Sequence, residues 1–433
     1  MTSTAASAYP ATRRFFRGWW IVAVAIVGQS FSLAPVLVYT FGVFAKPLAG
    51  AFKSSRSSIA LAVSLLDLTV TFSAPVVGRL VDRYGTRRVI VTSLLVLTAC
   101  LVGLAYVQPP LWHLYVLYML AGSLGVATTP VTYSRVIANW FDRKRGLALG
   151  LAGIGSGLGA FIGPSLAQFL IDERGWRQAY LGLAAFTLLV ATPVVAIFLR
   201  GSPEEVGLLP DGAIAPAVIA SRTAPVPGMT LAQAIRTPTF WLLCGIFLMV
   251  AACVNGTAAH VAPLLTDSGV SGRSAAFAAS LFGFASIAGR VGSGYLIDRF
   301  FAPRIAAVMF AGATAGIAML WSGVTGNGAF VAALLLGLAM GTEVDMMPFL
   351  ISRYFGRRSM AELYGCVFGC FTLGSATGRY LIAAGFDATG SYRTPLVLAF
   401  LALLLATLAT FALGKYSEFE SLTSAASSPS AQH

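Results

Sequence analysis

Gly78-Arg79-Leu80-Val81-Asp82-Arg83-Tyr84-Gly85-Thr86-Arg87-Arg88 joins two long apolar runs, and its skeleton returns 216 residues later as Gly294, Asp298 and Arg299. Other landmarks return with it. Pro47 recurs as Pro263, Trp140-Phe141 as Tyr354-Phe355, and Asp172 with Gly175 as Asp387 with Gly390, at offsets of 214 to 216. Four landmarks in one order at nearly one offset describe a repeat of half the chain.

The apolar runs are read as membrane spans. Of the 433 residues, 57% are hydrophobic and 10% charged, against about 25% charged in an ordinary soluble chain. So few charges cannot cover a water-soluble surface, and so much apolar residue excludes a disordered chain. A bilayer-crossing helix takes about 20 mostly apolar residues. Only helices and closed barrels satisfy their backbone groups in lipid. The runs are too long for barrel strands and do not alternate, so the expected fold class is an all-α membrane protein. Twelve spans are read, at 18–45, 57–80, 88–107, 111–138, 145–170, 177–199, 239–265, 273–296, 303–323, 329–352, 360–385 and 394–414.

Six spans fall in one repeat, so both halves keep the same orientation in the membrane. The expected organisation is a six-helix bundle over 18–199, a cytoplasmic linker over 200–238 and a second bundle over 239–414, between cytoplasmic tails at 1–17 and 415–433. The linker carries Pro203, Pro210, Gly212, Pro216, Pro225 and Pro227 and is too short for a soluble catalytic domain. Two parallel halves place a binding site at their interface near the membrane midplane, the geometry of alternating access.

The net charge of +13 does not imply nucleic acid, because such binders cluster basic residues on one face. Here they sit in short runs between spans. With both termini inside, nineteen of the 29 lysines and arginines face the cytoplasm, among them Arg13, Arg14, Arg17 and Arg222. Seven face outside, including Arg56 and Arg273, and that bias orients the chain. The first run is too long for a signal peptide and is read as a retained span. Cys100, Cys244, Cys253, Cys366 and Cys370 lie in apolar stretches with no metal-ligand spacing and no disulfide framework. They read as packing residues, and no cofactor or metal is expected.

The opening stretch resembles the loop motif of the major facilitator superfamily. The resemblance implies a cytoplasmic gate: Gly78 permits close helix packing, and Asp82 beside Arg83, Arg87 and Arg88 offers a breakable ion pair, echoed by Asp298 and Arg299. Asn139-Trp140-Phe141-Asp142-Arg143-Lys144-Arg145-Gly146-Leu147-Ala148 resembles the entry to span five of monocarboxylate-porter-like and oxalate/formate-antiporter-like members, and Gly175-Trp176-Arg177 their start of span six. Gly289-Arg290, ahead of Gly294, resembles their span eight, which carries a substrate-binding arginine. There are departures. Animal monocarboxylate porters carry a lysine in span one where this chain has Tyr39, and an aspartate one turn before the span-eight arginine where it has Ser286. Oxalate antiporters carry a lysine in span eleven, near Phe371 or Leu373 here. Neither the proton-coupling detail nor oxalate specificity carries over.

Charges at membrane depth are costly and face a cavity or a partner. The cations there are Arg135, Arg290 and Arg379, and the anions Asp67, Glu343 and Asp345. At helical rise Arg290 lies roughly 12 Å inside the cytoplasmic end, and Glu343 and Asp345 roughly 15 and 12 Å inside it. The depths match, so Arg290 is expected to bind a carboxylate through its planar fork, with Glu343 or Asp345 modulating it. A structural ion pair is the other reading. The two acids point about 200° apart on their helix and cannot easily share a partner. A desolvated carboxyl favours its protonated form and a neighbouring guanidinium its charged form, which offers a coupling of proton to anion. Asp67 is a further proton site or a hydrogen-bonded structural group. Arg379 snorkels outward, pairs with Asp387 or attracts anions. Asn255 and His260 are further candidates for substrate contact, His260 otherwise being a satisfied core histidine. Arg135 and Arg353 read as symmetry mates that pair with Asp82 and Asp298 when the inner side is closed. Tyr39, Tyr133, Phe282 and Phe284 are candidates for an apolar or aromatic remainder of the site. The glycines of span five, Gly153, Gly155, Gly157, Gly159 and Gly163, suit helices that slide.

These readings converge on secondary transport of a small organic anion, a monocarboxylate moved with a proton, by a monomer in the bilayer. The resemblance points to a bacterial inner membrane. An organic-anion exchanger of dicarboxylate or oxalate type is the alternative. An exporter of hydrophobic cations would bind through Asp67, Glu343 and Asp345, and Arg290 argues against it. No ATP-binding loop, Ser–His–Asp arrangement or metal-ligand cluster supports an enzyme.

Overall fold

The computed structural model describes residues 16–212, 228–267, 269 and 272–416. Arg13, Arg14, Pro216, Arg222, Pro225 and Pro227 lie outside the described residues, as do the side chains of Arg56, Pro263 and Arg273. So do nearly all of the expected N-terminal tail and the C-terminal tail beyond Tyr416.

Among the described residues the chain forms twelve long helical rods. They are α1 (Gly18–Val38), α2 (Arg56–Tyr84), α3 (Thr86–Tyr106), α4 (Trp112–Trp140), α5 (Arg145–Arg174) and α6 (Trp176–Phe198). The second half holds α7 (Pro238–Asp267), α8 (Gly272–Ile297), α9 (Ala302–Trp321), α10 (Asn327–Phe355), α11 (Met360–Thr389) and α12 (Arg393–Thr410). Among the described residues ten helices are long and apolar enough to cross a membrane; α8 contributes the shorter apolar stretch Leu281–Ile297, and α11 is not among the ten. Those two carry Arg290 and Arg379, and many glycines, serines and threonines. In α11 the residues that suit a polar seam are also the ones that dilute its hydropathy.

Three rods carry an irregular turn, α6 a widened one at Thr187–Ala191. The first ends in a widened turn over Ala34–Val38 and resumes beyond Tyr39 as Phe41–Phe52. In α4 a tight turn at Val126–Thr128 precedes Pro130, whose ring removes one amide donor. The repeat landmarks Gly175 and Gly390 both take positive φ, 82° and 66°, where the chain leaves α5 and α11. Glycine tolerates that conformation without strain.

The halves meet along two antiparallel seams, α2 with α11 and α5 with α8. The repeat maps α2 onto α8 and α5 onto α11, so these are one contact used twice. Gly78 lies against the Ala361 carbonyl, and its counterpart Gly294 against the Gly146 carbonyl. One turn deeper, Gly365 lies against the Ala74 carbonyl, and its counterpart Gly150 against the Arg290 carbonyl. Small residues permit backbone-to-backbone approach. The correspondence also places Arg290 opposite Ala74, so the central cation belongs to the second half alone.

Candidate functional site

The inner ends of the two seams are closed. Asp82 pairs with Arg135, and its Oδ2 accepts the Glu362 amide at 3.0 Å. Arg79 Nε donates to Glu362 Oε1 at 2.7 Å. On the equivalent seam Asp298 accepts the Gly146 and Leu147 amides at 2.6 and 2.8 Å. Each aspartate thus sits at the positive N-terminal end of the facing helix. Burial holds the Asp298 carboxyl above its usual 3.8, outweighing those two amides.

Part of the expected gate is arranged differently. Arg83 and Arg299 stack on Tyr84 and Tyr295, with centroid distances of 5.3 and 3.9 Å, while Arg87 and Arg88 are exposed. The breakable pair of Asp82 is therefore with Arg135, not with its neighbours in sequence. Arg353 is not the counterpart of Arg135. The offset that sets Trp140 on Tyr354 sets Arg353 on Asn139, and Arg353 lies 3.7 Å from Asp142 and over the Phe349 ring. It still acts electrostatically on Asp298. Arg145, read from sequence only as a loop cation, is 1% exposed and donates to the Phe141 carbonyl at 3.1 Å and to Ser352 at 2.9 Å. Its helix-initiating position beside Gly146 was the available signal. Glu362, at the start of α11, was equally unmarked.

Deeper in, Arg290 and Asp345 form a buried pair. Gly341 of α10 fits against the Ser286 carbonyl and Gly289 of α8 against the Leu338 carbonyl, and this close approach brings the two side chains together. Arg290 Nη1 donates to Asp345 Oδ1 and Oδ2 at 3.2 and 3.1 Å. Among the described residues, Nε and Nη2 of Arg290 have no hydrogen-bond partner. Gly153 of α5 covers the pair from the other half; a Cβ there would lie 2.9 Å from both Asp345 oxygens.

Glu343 faces α7 instead. It is 0% exposed, and Asn255 Nδ2 donates to its Oε1 at 2.7 Å. Its Oε2 has no partner among the described residues. Toward the outer side, Arg379 Nη2 donates to Asp67 Oδ2 at 2.7 Å, joining α11 to α2. His260 donates from Nε2 to the Arg379 carbonyl at 3.2 Å. Arg379 thus takes Asp67, not Asp387, as its partner. Tyr39, 40% exposed at the break after α1, lies within electrostatic reach of Arg290, Asp67, Arg379 and Glu343. It is in reach of members of both ion pairs.

Two expected lining residues stand elsewhere. Tyr133 is buried in the first half against Gly28 of α1. Phe284 is 68% exposed, and six residues of helix turn it about 120° from Arg290. Among the described residues no group of histidines, cysteines and carboxylates could hold a metal.

Two like-oriented six-helix halves, with balanced charges buried at their seam, define a multi-pass membrane protein built for solute passage. The Major Facilitator Superfamily matches over residues 19–379, and the chain belongs to it. It is a transporter, not an enzyme. The uncharacterized MFS-type transporter YhjX of Escherichia coli is 27% identical over 82% of this chain and 85% of its own length. Monocarboxylate transporter 11 of Mus musculus is 30% identical over 87% of this chain and 83% of its own. The fold is also that of the E. coli fucose:proton symporter FucP, at 16% identity, with a TM-score of 0.67 over 90% of this chain and 98% of that one. The proton:xylose symporter XylE gives a TM-score of 0.69 at 14% identity, over 94% and 99%.

Proposed function

We propose that this transporter carries a small monocarboxylate together with a proton by alternating access, and that Arg290 receives the carboxylate. The observation that carries the reading is the half-used guanidinium. One nitrogen of Arg290 is held by Asp345, and the rest of the fork is left for a second anion. A planar fork suits a carboxylate better than a point charge does. Asp345 occupies the site until substrate displaces it. Tyr39, Asn255, His260 and Arg379 are the further substrate contacts of this reading, and Glu343, Asp345 and Asp67 its acids. The likeness to monocarboxylate transporters at 26–30% identity points the same way. With a bacterial relative at 27% identity, we place the chain in a bacterial inner membrane, as a monomer.

Tyr39 lies in reach of two cations, Arg290 and Arg379, which favours a second reading, exchange of organic dianions. The two are separated in liposomes holding purified protein. Symport predicts uptake of labelled lactate driven by an inward proton gradient into empty vesicles. Exchange predicts uptake only when an organic anion is loaded inside. Uptake of lipophilic cations in place of either would overturn both.

A further inference from the structure

We propose that Asn255 and Glu343 form a proton site separate from the Arg290 anion site, and that Asp345 is the anion site's resident counter-ion; this rests on the proton-coupled reading above. The two acids stand two residues apart on α10 yet meet opposite surroundings. Asp345 sets both oxygens on the Arg290 guanidinium, so its charge is balanced where it lies. Glu343 is fully buried with one neutral donor and an oxygen that has no partner among the described residues. An ionised carboxylate so placed is strongly disfavoured. A neutral carboxyl fits: the Asn255 amide serves its carbonyl oxygen, and the hydroxyl is Oε2.

The surrounding groups leave this assignment in place. Arg290 on α8 acts on Glu343 electrostatically but is bonded to Asp345. Tyr39, at the break after α1, is in reach of the same carboxyl. Tyr364 on α11 donates to the Val344 carbonyl at 3.2 Å and faces Arg290 and Asp345. On α7, His260 is turned to the Arg379 carbonyl. Arg135 on α4 is held by Asp82. α5 meets the Arg290–Asp345 pair with Gly153, and α9 carries no acid, histidine, tyrosine or cysteine.

The charges then balance. Arg290 with Asp345, and Arg379 with Asp67, are neutral pairs. With Glu343 ionised and no substrate, this centre carries one negative charge. With Glu343 protonated and a monocarboxylate on Arg290, it carries the same charge. The proton forms its bond to Glu343 Oε2 from the outer side, and that bond breaks toward the cytoplasm after the anion leaves. Arg290 is within reach to offset the ionised Glu343 while the empty carrier returns, and Glu343 then takes up a proton again from the outer side, so the resting substrate-free protein holds it protonated.

The test uses the full chain in liposomes with labelled lactate. Glu343→Gln keeps the shape and the acceptor for Asn255 but can release no proton. It is expected to lose gradient-driven accumulation and to keep exchange of internal for external lactate, now independent of pH. Glu343→Asp is expected to restore the response to the gradient. Gradient-driven accumulation by Glu343→Gln, or loss of exchange in a Glu343→Gln protein that unfolds at the wild-type temperature, overturns the proposal. Infrared spectra of the substrate-free protein supply an arm that needs no lactate. A protonated-carboxyl band at neutral pH is expected in the wild type, kept in Asp345→Asn, missing in Glu343→Gln and shifted in Glu343→Asp. Its absence in the wild type overturns the proton site. Its presence without any lactate uptake counts against the monocarboxylate reading alone.

Discussion

Arg379 on α11 and Asp67 on α2 are bonded across the two halves, Nη2 to Oδ2 at 2.7 Å, although 312 residues separate them in the chain. Removing one partner of such a pair strands the other charge. Arg379→Gln and Asp67→Asn should each lower the thermal unfolding temperature in detergent. The double variant should lose less than the sum, with a coupling of about 0.5–3 kcal/mol. Strictly additive losses would show that the pair does not couple the halves.

Gly153 leaves no space for a side chain. A Cβ there would lie 2.9 Å from the Asp345 oxygens, whereas at Gly157 it would meet Ile287 at an ordinary 3.5 Å. Gly153→Val should therefore destabilise the protein and suppress transport, while Gly157→Ala should leave both near wild type. Thermal unfolding and uptake, measured together, check this. Equal effects of the two substitutions would mean that the seam relaxes around either.

How much of this was legible beforehand follows from what each residue's placement depends on. Twelve spans and a parallel repeat follow from long apolar runs and a constant offset, and they stand in the folded chain. Arg290 stands out because a charge inside an apolar run is costly. Its partner does not stand out: Asp345 and Glu343 lie at nearly one depth, and the rotation of α10 alone decides which of them meets the guanidinium. The Arg379–Asp67 bond joins opposite halves and is set by how those halves dock. Phe284 lies six residues from Arg290 in the chain, and helical rotation separates them. Arg353 was matched to Arg135 by its position at a span end, while the offset itself matches it to Asn139.

The inner closure gives a further expectation. Asp298 holds the Gly146 and Leu147 amides, and Asp82 holds the Glu362 amide. Asp298→Ala should speed hydrogen exchange at the first turn of α5, and Asp82→Ala at the first turn of α11. Exchange measured peptide by peptide should show each effect on its own seam first. Unchanged protection at both would mean that the aspartates do not hold the closed state.

The central claim is that Arg290 receives the carboxylate, and equilibrium binding tests it most directly. Lactate binding to purified wild type, Arg290→Lys and Arg290→Ala should be measured by calorimetry, alongside thermal unfolding to confirm folding. Losing one partner of a buried charged hydrogen bond costs about 2–5 kcal/mol, so Arg290→Ala should bind about thirtyfold more weakly or worse. Arg290→Lys should fall between, since it keeps the charge without the fork. A folded Arg290→Ala that binds lactate with wild-type affinity would contradict the account.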